Sequence, residues 1–185
     1  MWNYEKRLQY PVKISQPNAK AAQIIISQFG GPDGELAAAL RYFNQAAHMP
    51  DDRGRALLID IATEELGHVE MINTMITQLM KGATLEELKA AGLDKAYSMR
   101  GVDTFPQDNF ANPFTTAYIG ATGDVKANLY ENMAAEQKAR AVYEHLLDLA
   151  TSEDVKAPLI YLRERELVHF TLFKELLESY EKSGK

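Results

Sequence analysis

The sequence predicts an all-α fold, a four-helix bundle of two antiparallel hairpins joined by a long crossover. Three observations carry that expectation. Four long stretches of the 185-residue chain repeat apolar residues every three to four positions, the stripe of a helix that faces a core. No stretch reads convincingly as a strand. A segment rich in Gly, Pro, Asn and Asp, residues 92–123, separates the helices into two pairs and is much longer than an ordinary helix–helix loop.

The elements follow in order. Up to about residue 17 the chain carries Pro11 and Pro17 and no sustained period, so residues 1–17 read as an extended arm. The stretch "NAKAAQIIISQFGGPDGELAAALRYFNQAAHMP" is helical on both sides of a Gly-Gly-Pro-Asp-Gly break. Either one helix is interrupted there or a second begins with Asp33 as its N-cap. "DDRGRALLIDIATEELGHVEMINTMITQLMKG" is one long helix with acidic residues in its first turn and Lys81-Gly82 at its end. Thr84, with Glu87 three positions on, forms a capping box opening a short helix in "TLEELKAAG". Beyond the crossover, two more long helices run from about Asp124 to Ala150 and from about Ser152, a cap, to Tyr180. The charged tail "EKSGK" is expected to fray.

A helix of about 28 residues is ~42 Å long, a distance that about 30 extended residues span easily. The 92–123 segment can therefore carry the chain back along the bundle. The second and third long helices then run parallel, the one-crossover topology of ferritin-like bundles. The chain, 1–185, is expected to form a single domain.

Composition narrows the function classes. A net charge of −6 without a basic block argues against nucleic acid or an anionic membrane surface as partner. No apolar run approaches the ~20 residues of a membrane span, and the N-terminus is too charged for a signal peptide. A soluble, cytoplasmic protein is expected. The absence of cysteine excludes disulfides, thiolate metal sites and cysteine nucleophiles.

The chemistry lies in "TEELGHVEMI", residues 63–72. Glu65 and His68 fall on the apolar stripe of Leu58, Ile61, Ala62, Val69, Ile72, Ile76 and Leu79, and three-residue spacing sends both side chains off one face. The last helix repeats the arrangement: Glu166 and His169 sit on the stripe of Leu159, Leu162, Phe173, Leu176 and Tyr180. Thirty residues before Glu65 stands Glu35, and thirty before Glu166 stands Glu136, an offset that selects it over Glu131. Tyr42 and Tyr143 each follow the lone glutamate by seven residues. Chance alone gives about 0.35 Glu-x-x-His matches for this composition; two matches with glutamates at equal offsets are a specific signal.

An ionised carboxylate buried alone costs several kcal/mol. Two divalent cations among four carboxylates and two imidazoles remove that cost, the di-metal carboxylate pattern of helical bundles. Oxygen and imidazole donors suit manganese or iron. The metal-free alternative, two buried Glu–His pairs, leaves Glu35 and Glu136 unexplained. Glu64, Glu70, Glu164 and Arg165 read as solvated surface, as does His145, and His48 as a helix C-terminal cation. The seven methionines read as core filler, and Tyr42 and Tyr143 as core aromatics whose hydroxyls a ligating carboxylate would satisfy.

The segments "GGPDGELAAALRYFNQ", "TEELGHVEMI", "AAEQKAR" and "RERELVHF" resemble the four metal-binding helices of the manganese catalases, and "MWNYEKRLQYPVKI" resembles the start of their short, spore-coat-associated branch. The resemblance implies two manganese ions held by Glu35, Glu65, His68, Glu136 and His169. Glu65 would bridge the ions, and Glu166 would lie just outside the ligand set and move protons as the catalytic residue. The implied reaction is disproportionation of hydrogen peroxide to oxygen and water, the pair of ions alternating between II,II and III,III states. It further implies a homo-oligomer, up to a hexamer, and spore-coat proteins as partners, with the spore coat as an alternative location. In long members a segment after the fourth helix wraps neighbours, and some carry a basic group where this chain has Ala135. Two alternatives remain: a di-iron ferroxidase or oxidase, with Glu166 as a ligand, and a coat-assembly protein with a structural di-metal site.

Overall fold

The computed structural model describes residue 5 and residues 7–184, so the first four residues of the arm lie outside the described residues. Among those described, the chain is helical, with no strand and a single isolated bridge between Gln107 and Pro113. Two short helices, α1 (Ala19–Ile25) and α2 (Ser27–Gly30), precede α3 (Glu35–Ala46) and the long α4 (Asp52–Leu79). The connection carries α5 (Leu85–Ala91), α6 (Tyr97–Arg100) and a 3-10 turn at Thr116–Tyr118. The second hairpin is α7 (Val125–Leu149) and α8 (Glu153–Ser183). The fold is a ferritin-like bundle of α3, α4, α7 and α8.

Local chemistry sets most boundaries. The Asp51 side chain accepts from Gly54 N at 2.9 Å and opens α4, and Asp124 accepts from Ala127 N at 2.8 Å to open α7. Thr84 and Glu87 form the expected capping box, and Gly92 closes α5 in the left-handed conformation at φ 74°. Asp33 does not cap α3: the N-cap is Gly34, extended and without a side-chain bond. Backbone crowding explains the difference, because a Cβ on Gly34 would lie 2.8 Å from Ser27 O. Asp33 instead pairs with Lys138 at 2.8 Å. In the tail "EKSGK", α8 runs on to Ser183 before Gly184 ends it at φ 71°, and Lys185 lies outside the described residues.

Reciprocal contacts define the helix directions. Tyr42 meets Glu136 and Tyr143 meets Glu35, so α3 and α7 are antiparallel. Tyr180 bonds Asp51 at the start of α4, so α4 and α8 are antiparallel too. Hence α4 and α7 run parallel, and residues 92–123 return along the bundle. Thr104 bonds Asn73 of α4, the guanidinium of Arg41 donates to Tyr118 O at 3.0 Å, and Gln45 donates to Gly120 O at 2.8 Å. Where the crossover passes α2, a Cβ on Gly30 would sit 2.3 Å from Gln107 N. Gly30→Ala therefore forces two backbones apart, and it is expected to lower the unfolding free energy by about 1–3 kcal/mol. Denaturant titration checks this; an unchanged midpoint would mean that the crossover yields freely.

Among the described residues, the arm runs along the outside of α4 without forming a helix. Val12 is buried, Gln78 brackets it with bonds to Val12 O and Ile14 N, and Ser15 bonds Asp154 at 2.7 Å. Two apolar layers fill the interior: one around Ile72, Met75, Ile76, Leu159 and Leu162, the other around Leu58, Ile61, Leu129, Phe173 and Leu176. The polar residues at 65, 68, 166 and 169 fall between them in sequence on both α4 and α8. Burial from both sides excludes water and strengthens every charge interaction in between. Met99 departs from the reading of methionine as core filler, standing 79% exposed on α6.

Candidate metal centre

Each bundle helix delivers its share of the site. Glu35 is the first residue of α3, Glu65 and His68 lie mid-way along α4, Glu136 on α7, and Glu166 and His169 on α8. All six are at most 2% exposed. Donor atoms gather in two overlapping groups, Glu35, Glu65, His68 and Glu166, and Glu65, Glu136, Glu166 and His169, each within 4.8 Å. Glu65 and Glu166 belong to both groups, and each remaining residue to one.

Glu65 is the hub. Its Oε2 lies 2.6 Å from His68 Nδ1 and its Oε1 2.9 Å from His169 Nδ1. The two imidazoles stack with centroids 5.8 Å apart. Glu35 approaches His68 Nδ1 at 3.4 Å, and Glu136 approaches His169 Nδ1 at 3.8 Å. Burial alone would push the Glu65 carboxyl up, but the two histidines outweigh it and hold it well below the usual range. Burial, then the charges of Glu35, Glu136 and Glu65, push the Glu166 carboxyl well up. Burial, with Glu65 next, pushes Glu35 up to about 7. The environments of Glu65 and Glu166 thus diverge, one favouring the anion and the other the acid.

Each tyrosine hydroxyl donates across the bundle, Tyr42 to Glu136 Oε1 and Tyr143 to Glu35 Oε1. The partners are the carboxylates anticipated for them, but each lies in the opposite half of the chain. A cavity of about 10 Å³, room for about one water, opens beside Glu35, Glu136 and Glu166, with Asp33, Arg41 and Tyr42 among the other residues that line it. Arg41 is 3% exposed, and sequence reasoning missed it because its position carries no motif.

Three residues read as solvated surface, Glu64, Glu70 and Arg165, are only partly exposed. Arg165 Nε donates to Glu64 Oε1 at 2.5 Å and Nη2 to Oε2 at 3.2 Å, both side chains more than two-thirds buried. Glu64 faces the Nε2 atoms of both histidines, 3.6 Å from His68 and 3.2 Å from His169. A signal was present: Glu64 precedes His68 by four, so the two share a helix face. Glu164 and His145 are exposed as expected.

The chain's own groups fit a metal pair. Within the site, six buried polar atoms find no hydrogen-bond partner: Glu65 Oε1, Glu136 Oε2, Glu166 Oε1, His68 Nε2 and both nitrogens of His169. Buried polar atoms are normally satisfied, and four carboxylates packed together repel unless cations intervene. Four carboxylate donors and two imidazoles match two divalent ions in charge and, without thiolates, in hardness.

A one-crossover bundle with Glu and Glu-x-x-His from each half defines the class: a ferritin-like bundle with a buried carboxylate–histidine cluster that could hold metal. A profile of the manganese-containing catalases matches residues 1–184, and the chain belongs to that family. It is 51% identical to protein CotJC of Bacillus subtilis (strain 168), over 96% of this chain and 94% of that one. It is 33% identical to a probable manganese catalase of Clostridium acetobutylicum, over 100% of this chain and 83% of that one. The structure of KatB, a manganese catalase from Anabaena, superposes with a TM-score of 0.90 at 35% identity, covering 98% of this chain and 82% of KatB. Among the described residues no helix is long and apolar enough to cross a membrane.

Proposed function

We propose that the protein is a manganese catalase, converting two hydrogen peroxide molecules to one oxygen and two waters. One observation carries the reading: in a chain of this family, four carboxylates and two imidazoles buried between apolar layers form two metal-capable groups that share Glu65 and Glu166. Glu35 and His68 would hold one manganese ion, Glu136 and His169 the other, and Glu65 would bridge them. When bound, the two ions supply the two-electron exchange with peroxide.

The remaining roles belong to the chain. Glu65, kept anionic by both histidines, suits the bridging place. Glu166 lines the small cavity beside Glu35 and Glu136, has a free Oε1 and favours its protonated form. It therefore suits the transfer of a proton to and from peroxide oxygen as the catalytic acid–base. Tyr42 and Tyr143 donate to the outer oxygens of Glu136 and Glu35 and so orient them.

The decisive experiment measures oxygen release from hydrogen peroxide by the manganese-loaded protein beside the iron-loaded form. Fast release with manganese alone is expected. No release from protein shown to hold two manganese ions overturns the reading. A di-iron oxidase keeps one supporting observation, because Glu166 lies within reach of both positions as a ligand would; peroxide consumption only with iron would favour it. A coat-assembly role draws on the likeness to CotJC and on the exposed Met99, Val102 and Phe110 of the crossover. Assembly of a metal-free variant into its normal complex would favour that role.

A further inference from the structure

The two halves of the chain repeat Glu-x-x-His, and the residue four before each histidine stands in the equivalent place: Glu64 before His68, Arg165 before His169. Here the repeat breaks, with opposite charges on the two sides. Arg165 cannot accept a hydrogen bond, so it leaves His169 without an acceptor from its own helix. It grips Glu64 instead, one guanidinium nitrogen on each carboxylate oxygen. The oxygens of this anchored carboxylate then face one imidazole each, Oε1 toward His68 Nε2 and Oε2 toward His169 Nε2.

From this geometry we propose that Glu64 is a shared positioning residue that couples the two metal positions, so that manganese is taken up in pairs. The inference rests on the dimanganese reading above. Both histidines turn Nδ1 toward Glu65, leaving Nε2 to Glu64. Neither Nε2 contact has full hydrogen-bond geometry, and contacts of this kind tighten on ligand binding. Glu64, with one oxygen toward each Nε2, would accept the ring proton of both histidines, so that the tautomer that frees Nδ1 of one ring for a metal ion would be set together with that of the other. Outer carboxylates on ligating histidines orient the ring and raise its basicity; here one carboxylate does so for both rings.

The arm passes beside Glu64. Gln9 Nε2 donates to Glu64 O at 3.1 Å, and a Cβ on Gly67 would lie 2.1 Å from Gln9 Nε2, so the glycine admits the arm beside His68. Tyr10 stacks on Tyr161 at 5.2 Å, and Tyr161 meets the His68 ring edge-on at 6.4 Å.

The test is manganese uptake by the full chain, followed by chelator competition and by electron paramagnetic resonance at one ion per chain. The unmodified protein is expected to show coupled ion pairs with little of the six-line signal of a lone Mn(II). In Glu64→Gln the amide oxygen can serve one ring while the amide nitrogen, a donor, faces the other. Its two positions are expected to separate in affinity by roughly 10–100-fold, with a strong six-line signal at one equivalent. Arg165→Gln leaves both acceptor oxygens but loosens them, so both affinities should fall together while uptake stays paired; it serves as the second variant if Glu64→Gln does not fold. Paired uptake by Glu64→Gln, indistinguishable from the unmodified protein, overturns the coupling and leaves the dimanganese reading standing. So does separated uptake by Arg165→Gln. Failure of the unmodified protein to take up two ions overturns both.

Discussion

Glu65→Gln is expected to release both manganese ions and abolish oxygen release from peroxide. Glu65 is the one carboxylate in contact with Nδ1 of both histidines, at 2.6 and 2.9 Å. A neutral amide neither bridges two cations nor accepts on both of its atoms. Affinity at both positions should fall by more than the ~10–100-fold that a residue outside the ligand set costs. The metal-free variant should also be less stable than metal-free unmodified protein, by about 3–5 kcal/mol, because two buried histidines lose their common counter-charge. Metal analysis after dialysis and a denaturant titration check the two parts separately. Retention of both ions would remove Glu65 from the bridging place.

Glu166→Gln is expected to act differently, lowering turnover by about 10²–10⁴-fold with both manganese ions retained. The substitution keeps the shape of the side chain and removes its exchangeable proton. Glu166 lines the cavity beside Glu35 and Glu136, and the hub is made by Glu65 with the two histidines, so loss of the Glu166 carboxyl leaves that hub intact. Stopped-flow oxygen release and metal content, measured on the same preparation, decide the matter. Loss of both ions would make Glu166 a ligand and shift the reading toward the di-iron class, in keeping with its place in both donor groups.

Much of the centre was legible because each helix signals its own buried face. A carboxylate and an imidazole on the stripe of Leu58, Ile61 and Ile72 contradict burial unless something neutralises them, and the same contradiction recurs at Glu166 and His169. The thirty-residue offset added Glu35 and Glu136, and the structure gathers all six residues into overlapping groups. Glu64 was misread because the stripe argument treats each helix as facing one core. Residue 64 lies at the edge of that face, and its side chain is held there by Arg165 of α8. Asp33 was misread because a favourable capping residue lost to the close approach of Gly34 to the Ser27 carbonyl.

The sequence by itself determined the helical periods, the Thr84–Glu87 capping box, the pairing of the helices around a long crossover and the set of carboxylates and imidazoles that cannot be buried alone. These are local properties, set by spacing along one helix and by the chemistry of single side chains. Only the tertiary structure decided which groups meet across helices: Tyr42 with Glu136, Tyr143 with Glu35, Arg165 with Glu64, and the arm at Gly67. These partners, all but the arm's about a hundred residues apart, are brought together by packing of the antiparallel pairs, and no period along the chain encodes the register in which two helices pack.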